Sequence, residues 1–159
     1  ASPPSRQGFR PVLGLRHQSC HSLVVMMLQI SSELLMLIHE IAARTPQEEA
    51  CGLLLGHAEC VTDICHSVNV APFPDRHFEV DPARLIAAHK AARSGGPAII
   101  GVWHSHPNGH CQPSSEDARA AAPDGLFWVI VANGAVGCWR AVEAGSIGGR
   151  FDPVALAVR

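Results

Sequence analysis

The chain has 159 residues, 47% of them hydrophobic and 16% charged, with a formal net charge of -2. That length suits one domain with its own core, and that composition excludes a disordered acidic or basic tail. With 12 Lys+Arg against 14 Asp+Glu, no basic excess points to nucleic acid and no polybasic run to a membrane surface.

The order of elements is legible from periodicity. Residues 1–26 hold Pro3, Pro4, Pro11 and scattered arginines without a repeat, and read as a disordered N-terminal extension or a start-site artefact. Residues 27–159 read as the domain. Residues 27–30 predict a short strand. Ser31-Ser32-Glu33 opens a helix with Leu34, Leu35, Leu37, Ile38, Ile41 and Ala42 at helical spacing, closed by Pro46. The apolar run 50–56 suits a buried strand, and 60–71 a more exposed one. Asp81-Pro82 starts a second helix that ends near Gly95-Gly96. Residues 98–104 predict another buried strand, and 114–121 a short helix. Segments 126–132 and 136–142 predict a hairpin turned by Asn133-Gly134, with one more strand at 154–158. The mix predicts an α/β or α+β fold.

The longest apolar runs, 23–28 and 125–132, fall short of the about 20 residues of a transmembrane helix. Six cysteines, Cys20, Cys51, Cys60, Cys65, Cys111 and Cys138, show no C-x-x-C pair. They read as reduced thiols of a cytoplasmic protein, not as a disulfide framework.

Ten histidines are many for this length, and two of them carry the most information. His104 and His106 lie two apart at the end of a strand, so both imidazoles share one face. Two neutral imidazoles aimed at one point suit a metal ion. Asp117 lies eleven residues beyond His106, across a loop turned by Pro107, Gly109 and Pro113. Two histidines and a carboxylate would leave one tetrahedral position open. Glu49, beside the apolar strand, is the candidate base, and the Ser114 hydroxyl is a candidate donor to an oxyanion. Each residue alone has a plainer reading. Ser114-x-x-Asp117 is also an ordinary helix cap, and Glu49 is an acid next to Glu48. His39-Glu40 begins like a helical zinc motif, but Ala43 stands where the second ligand belongs.

Taken together, these residues resemble the JAMM (MPN+) metalloprotease family. His104-Ser-His106, the seven residues 107–113, Ser114, two residues and Asp117 reproduce its spacing. Upstream, Glu49-Ala-Cys-Gly-Leu-Leu-Leu-Gly56 matches its E-x-x-G-L-L-x-G strand. The resemblance covers about residues 27–142. It implies a curved mixed β-sheet flanked by helices, similar to cytidine deaminases. It implies Zn2+ held by His104, His106 and Asp117, with Glu49 as the proton-shuttling base and Ser114 as the oxyanion donor. The chain is similar to the small stand-alone prokaryotic members. These imply hydrolysis of an amide bond after the Gly-Gly end of a ubiquitin-like sulfur-carrier protein. A zinc amidohydrolase for another substrate and a non-catalytic binding module are the alternatives. Apolar strand edges leave room for a homodimer.

Overall fold

The computed structural model describes residues 25–159. The expected N-terminal extension lies outside that range apart from residues 25 and 26. The elements run β1 (Met27–Ile30), α1 (Ser32–Arg44), β2 (Cys51–His57), β3 (Cys60–Ser67) and α2 (Pro82–Arg93). They continue with β4 (Ala98–Ser105), α3 (Ser115–Ala120), β5 (Phe127–Ala132), β6 (Ala135–Gly145), β7 (Gly149–Pro153) and β8 (Ala155–Val158). The strands form one mixed sheet in the order β7-β6-β5-β4-β2-β3-β1-β8.

Local chemistry accounts for the helix ends. The Ser31 hydroxyl accepts from the Leu34 N–H at 3.2 Å and caps α1. Asp81 caps α2 in the same way, with Pro82 at its first helical position. In α1, Ile38 and Ile41 are buried and Leu34, Leu35 and Ala42 pack beside them. Leu37 lies at the margin of this face and is 39% exposed, so the expected stripe is narrower by one residue.

The central strand β5 is buried along its whole length. Its alternate residues feed two cores. Phe127, Val129 and Val131 pack with Leu28, Ile38 and Ile41, under α1. Trp128 and Ile130 pack with Trp139 and Phe151 on the opposite face. The second core is also the side on which His104 lies, edge-on to Trp128.

Two expectations need correction. The strand expected over 60–71 ends at Ser67, because the chain turns away into a loop held by the Asn69 side chain. The C-terminal stretch forms two strands where one was expected. Glycine and proline usually mark turns, but here Gly149 and Pro153 are the end residues of β7. Strands β7 and β8 are separated by Val154 alone yet occupy opposite edges of the sheet. One residue spans only about 7 Å of chain, so the sheet must curl until its edges approach. The Val154 N–H donates to the Cys138 carbonyl at 2.9 Å on β6, while β8 pairs in parallel with β1.

The two motif glycines answer to close packing. A Cβ on Gly52 would strike the Cys65 carbonyl and the Trp103 indole, and one on Gly56 would strike the Cys60 carbonyl. Backbone cannot retreat as a flexible side chain can. Gly52→Ala should therefore destabilise the protein by about 1–3 kcal/mol, the usual range for overpacking. Denaturant unfolding checks this, and an unchanged midpoint would show that β3 yields without cost.

Candidate metal centre

Pairing of β2 with β4 builds the site. The antiparallel register sets Cys51 opposite His104. Beyond it, the Ala50 carbonyl accepts from the Ser105 N–H and the Ser105 hydroxyl accepts from the Ala50 N–H, both at 2.9 Å. The next step along the pair brings Glu49 to His106. Glu49 Oε1 lies 3.9 Å from His106 Nε2. Glu49 is 4% exposed, whereas Glu48 is exposed, which separates two neighbouring acids by geometry.

The two imidazoles meet at their Nε2 atoms, 3.0 Å apart. Asp117 faces both, with Oδ1 3.2 Å from His104 Nε2 and Oδ2 3.2 Å from His106 Nε2. One donor atom each from Glu49, His104 and His106 also lies within 4.8 Å of the others. Two carboxylates thus stand at the histidine pair, and Asp117 is the nearer.

The expected cap and the expected site residue coincide. Ser114 caps α3: its hydroxyl accepts from the Asp117 N–H at 3.0 Å, and its own N–H donates to Asp117 Oδ2 at 2.7 Å. This capping box aims the carboxylate at the histidines. The cap uses a lone pair of Ser114 Oγ and leaves its O–H as a donor.

Electrostatics separate the two carboxyl groups. Burial pushes Glu49 from 4.5 up to about 7, against the pull of His106. Burial would also raise Asp117, but the imidazoles of His104 and His106, each within hydrogen-bond distance of its carboxylate, and the Ser114 N–H together hold it well below the usual carboxylate range. Burial lowers His104. Burial is also the largest single influence on His106 and would lower it, but Asp117, the His110 carbonyl and the Glu49 charge together outweigh it and leave His106 raised.

This donor set fits a divalent cation. Two imidazoles and two carboxyls, each no more than 5% exposed, are costly to bury without a compensating charge. Glu49 Oε2 and His104 Nδ1 have no hydrogen-bond partner. His106 Nδ1 lies 2.6 Å from the His110 carbonyl. That contact requires the proton on Nδ1 and leaves the Nε2 lone pair facing the pair's common point. Nitrogen and oxygen donors suit several divalent ions, zinc among them.

A cleft of about 230 Å3 reaches His106 from outside, lined in part by His39, Ala42, Pro46, Glu48, Pro107 and Asn133. His39 is half-buried in this wall and stands outside the donor cluster, as the broken motif at Ala43 implied. Among the described residues, Cys51, Cys60, Cys65, Cys111 and Cys138 are free thiols. No described helix is long and apolar enough to cross a membrane.

Comparison with known proteins agrees with this geometry. Residues 31–144 match the family model for prokaryotic homologs of the JAB domain, Prok-JAB. The chain belongs to this family. It is 36% identical over 93 residues to a desampylase of Haloferax volcanii, covering 57% of this chain and 67% of that protein. It is 35% identical over 78 residues to a probable TtuB-protein conjugate cleaving protease of Thermus thermophilus, covering 49% of this chain and 52% of that protein. The first match spans two thirds of the relative's length and the second about half. A solution structure from Desulfitobacterium hafniense superposes with TM-score 0.71 at 24% identity, over 84% of this chain and 93% of that one. A JAB1/MPN domain protein from Archaeoglobus fulgidus gives 0.53 at 22%, over 82% and 98%. At these identities the structures show the fold alone, the curved mixed sheet with few helices.

Sequence reasoning on this Prok-JAB domain missed several groups at the centre. Phe78 stacks on His104, with ring centroids 4.2 Å apart and planes at 21°. Trp128 stands edge-on to both rings. His110 contributes its carbonyl, at 2.6 Å from His106 Nδ1. Phe78 comes from a loop far from His104 in sequence, and no spacing rule could have tied the two together.

Glu49 gives the metal-free domain a pH signature. Raised from 4.5 to about 7, it keeps its proton where the unfolded chain releases one. Its contribution to stability is present below about 4.5 and lost as pH rises through about 7. Metal-free Glu49→Gln should gain up to about 3 kcal/mol over wild type at about pH 8, and little at about pH 4.5. Denaturant titrations at the two pH values decide it. Equal gains at both would mean that ionising buried Glu49 carries no penalty.

Proposed function

We propose that this domain is a zinc-dependent peptidase or isopeptidase of the JAMM type. Its substrate is the amide bond after the C-terminal Gly-Gly of a ubiquitin-like sulfur-carrier protein. The observation that carries the reading is the convergence of Glu49, His104, His106 and Asp117 on one buried point, with a cleft that reaches His106. Relatives named for desampylation and for cleavage of TtuB-protein conjugates support the substrate class.

His104, His106 and Asp117 would hold the metal. When bound, the ion supplies Lewis acidity toward a carbonyl oxygen and toward water. Glu49 Oε1 stands 3.9 Å from His106 Nε2, free of the cap that fixes Asp117. Its carboxyl oxygens would accept a proton from the attacking water and return it to the leaving amine. Burial raises the pKa of this carboxyl in the metal-free domain, which strengthens it as a proton acceptor. A cation beside it favours the carboxylate, the form a base requires. Ser114 would donate its O–H to the oxygen that gains charge as the carbonyl becomes tetrahedral. The cleft along Pro46 and Pro107 would admit the extended tail. Free thiols fit a reducing compartment, which agrees with a cytoplasmic site of action.

The test uses purified wild type, Glu49→Gln and Asp117→Ala. Substrates are a carrier protein with a C-terminal extension and the same carrier conjugated through a lysine. Zinc is measured per chain by elemental mass spectrometry. Glu49→Gln should keep its zinc and lose about 10²- to 10⁴-fold in rate, the range of general acid–base catalysis. Asp117→Ala should lose both zinc and activity. Equal rates for wild type and Glu49→Gln would sink the assignment of the base. Zinc uptake with hydrolysis only of small amides would move the reading to an amidohydrolase. Zinc uptake with no hydrolysis would move it to a binding module.

Ser114→Ala gives a separate prediction. Loss of one oxyanion donor costs about 10²- to 10³-fold in kcat, and loss of the cap costs about 1 kcal/mol of stability. Steady-state kinetics beside thermal unfolding separate the two. A variant that loses stability but keeps kcat would leave Ser114 as a cap alone.

A further inference from the structure

The two histidines are supported differently. His106 has the polar support usual for a metal ligand, its Nδ1 against the His110 carbonyl. For His104 to offer Nε2, the proton must sit on Nδ1, and Nδ1 has no hydrogen-bond partner. Apart from Asp117 at Nε2, the groups that fix the His104 ring are aromatic. Phe78 covers its face at 4.2 Å, and Trp128 closes one edge at 5.7 Å and 90°.

Phe78 packs against the second core, and its flanking backbone is held by the Val70 N–H, which donates to the Glu79 carbonyl at 3.0 Å, and by the Asn69 side chain. The Asn69 amide makes four hydrogen bonds, its full capacity. Nδ2 donates to the Glu49 carbonyl and to the His77 carbonyl, both at 2.9 Å. Oδ1 accepts from the Ala71 and Glu79 N–H groups, both at 3.0 Å. His77 and Glu79 flank Phe78, so the backbone is pinned on either side of the ring. The same loop accepts the Glu49 N–H at the Pro74 carbonyl, at 2.7 Å. Both backbone groups of Glu49 are thus tied to the segment that stacks on His104.

We infer that residues 69–80 form a brace for the centre, with Asn69 and Phe78 as positioning residues. Phe78 orients His104 for metal in place of a hydrogen bond. Asn69 locks that ring and the Glu49 backbone into one unit. The inference rests on the metal-site reading above and adds to it the residues that set the site's geometry. Neither residue touches the reacting atoms, so each acts through another group.

The test is metal binding by the full chain, stripped of metal. Zn2+ affinity is measured by competition with a chromophoric chelator, and Co2+ is added to read ligand geometry from its visible absorption. Phe78→Leu keeps an apolar side chain and removes the stacking face. It should bind Zn2+ 10- to 100-fold more weakly, the usual effect of losing a group that orients a ligand, with an altered Co2+ spectrum. Phe78→Tyr keeps the ring and should restore both. Asn69→Asp keeps the two accepted hydrogen bonds and loses the two donated ones, and should weaken Zn2+ about 10-fold. It carries the test if Phe78→Leu does not fold. Wild-type affinity in Phe78→Leu, or in Asn69→Asp where that variant stands in, overturns the brace. So does a Phe78→Tyr as weak as Phe78→Leu. Wild-type protein that takes up neither ion overturns the metal reading and the brace with it.

Discussion

Two imidazole nitrogens 3.0 Å apart inside a protein impose a constraint that the rest of this fold serves. They cannot be hydrated, and they cannot both carry a proton toward each other. Something positive and shared must lie between them, or the two must take one proton with the help of a carboxylate. The fold brings two carboxyl groups to that point by unrelated routes. Asp117 arrives on the cap of α3 and Glu49 on the approach to β2. Their surroundings push them apart in acidity, Asp117 held down by the histidines and Glu49 raised by burial. Paired acids separated in this way divide the labour of a site into a group that stays charged and a group that exchanges protons.

The sheet supplies the rigidity this needs. His104 and His106 extend from the end of β4, which has β2 on one side and β5 on the other. The chain passes from β7 at one edge to β8 at the other through Val154 alone, so the sheet is curled and its edges are tied. Residues projecting from the end of such a strand keep their relative positions better than residues on a loop. The catalytic reading needs positions held to a fraction of an ångström, and the packing of Trp128, Ile130 and Phe151 beneath the site provides it.

Much of this was legible in the sequence because the relevant spacings are local. His104 and His106 share a face by the two-residue period of a strand. Ser114 and Asp117 are joined by the three-residue reach of a helix cap. Gly52 and Gly56 belong to the matched strand motif, and only the structure shows that Cys65, Trp103 and Cys60 crowd them. The choice of Glu49 over Glu48 followed from the motif spacing, and the β2–β4 register gives its physical basis. What stayed hidden depends on distant pairing. Asn69 reaches Glu49 across 20 residues, and Phe78 meets His104 across a turn of chain that no periodicity describes. The parallel pairing of β8 with β1 joins the two ends of the domain. Strand β7 has Gly149 and Pro153 as its end residues, and these residue types usually mark turns.

Ser114 and Asp117 show why the plain and the functional readings of a residue need not compete. A capping box requires a serine hydroxyl and an acid three residues on, with the acid turned back toward the start of the helix. A metal centre at the end of β4 requires a carboxylate whose orientation does not drift. One arrangement meets both demands. The cap takes one lone pair of Asp117 Oδ2, and each oxygen still faces an imidazole nitrogen at 3.2 Å. Glu49 carries no such restraint on its carboxylate, only on its backbone, and one of its oxygens has no partner. A fixed carboxylate suits a ligand, and a carboxylate anchored only through its main chain suits a proton carrier. The proposed division of roles between the two acids thus rests on how each is tethered.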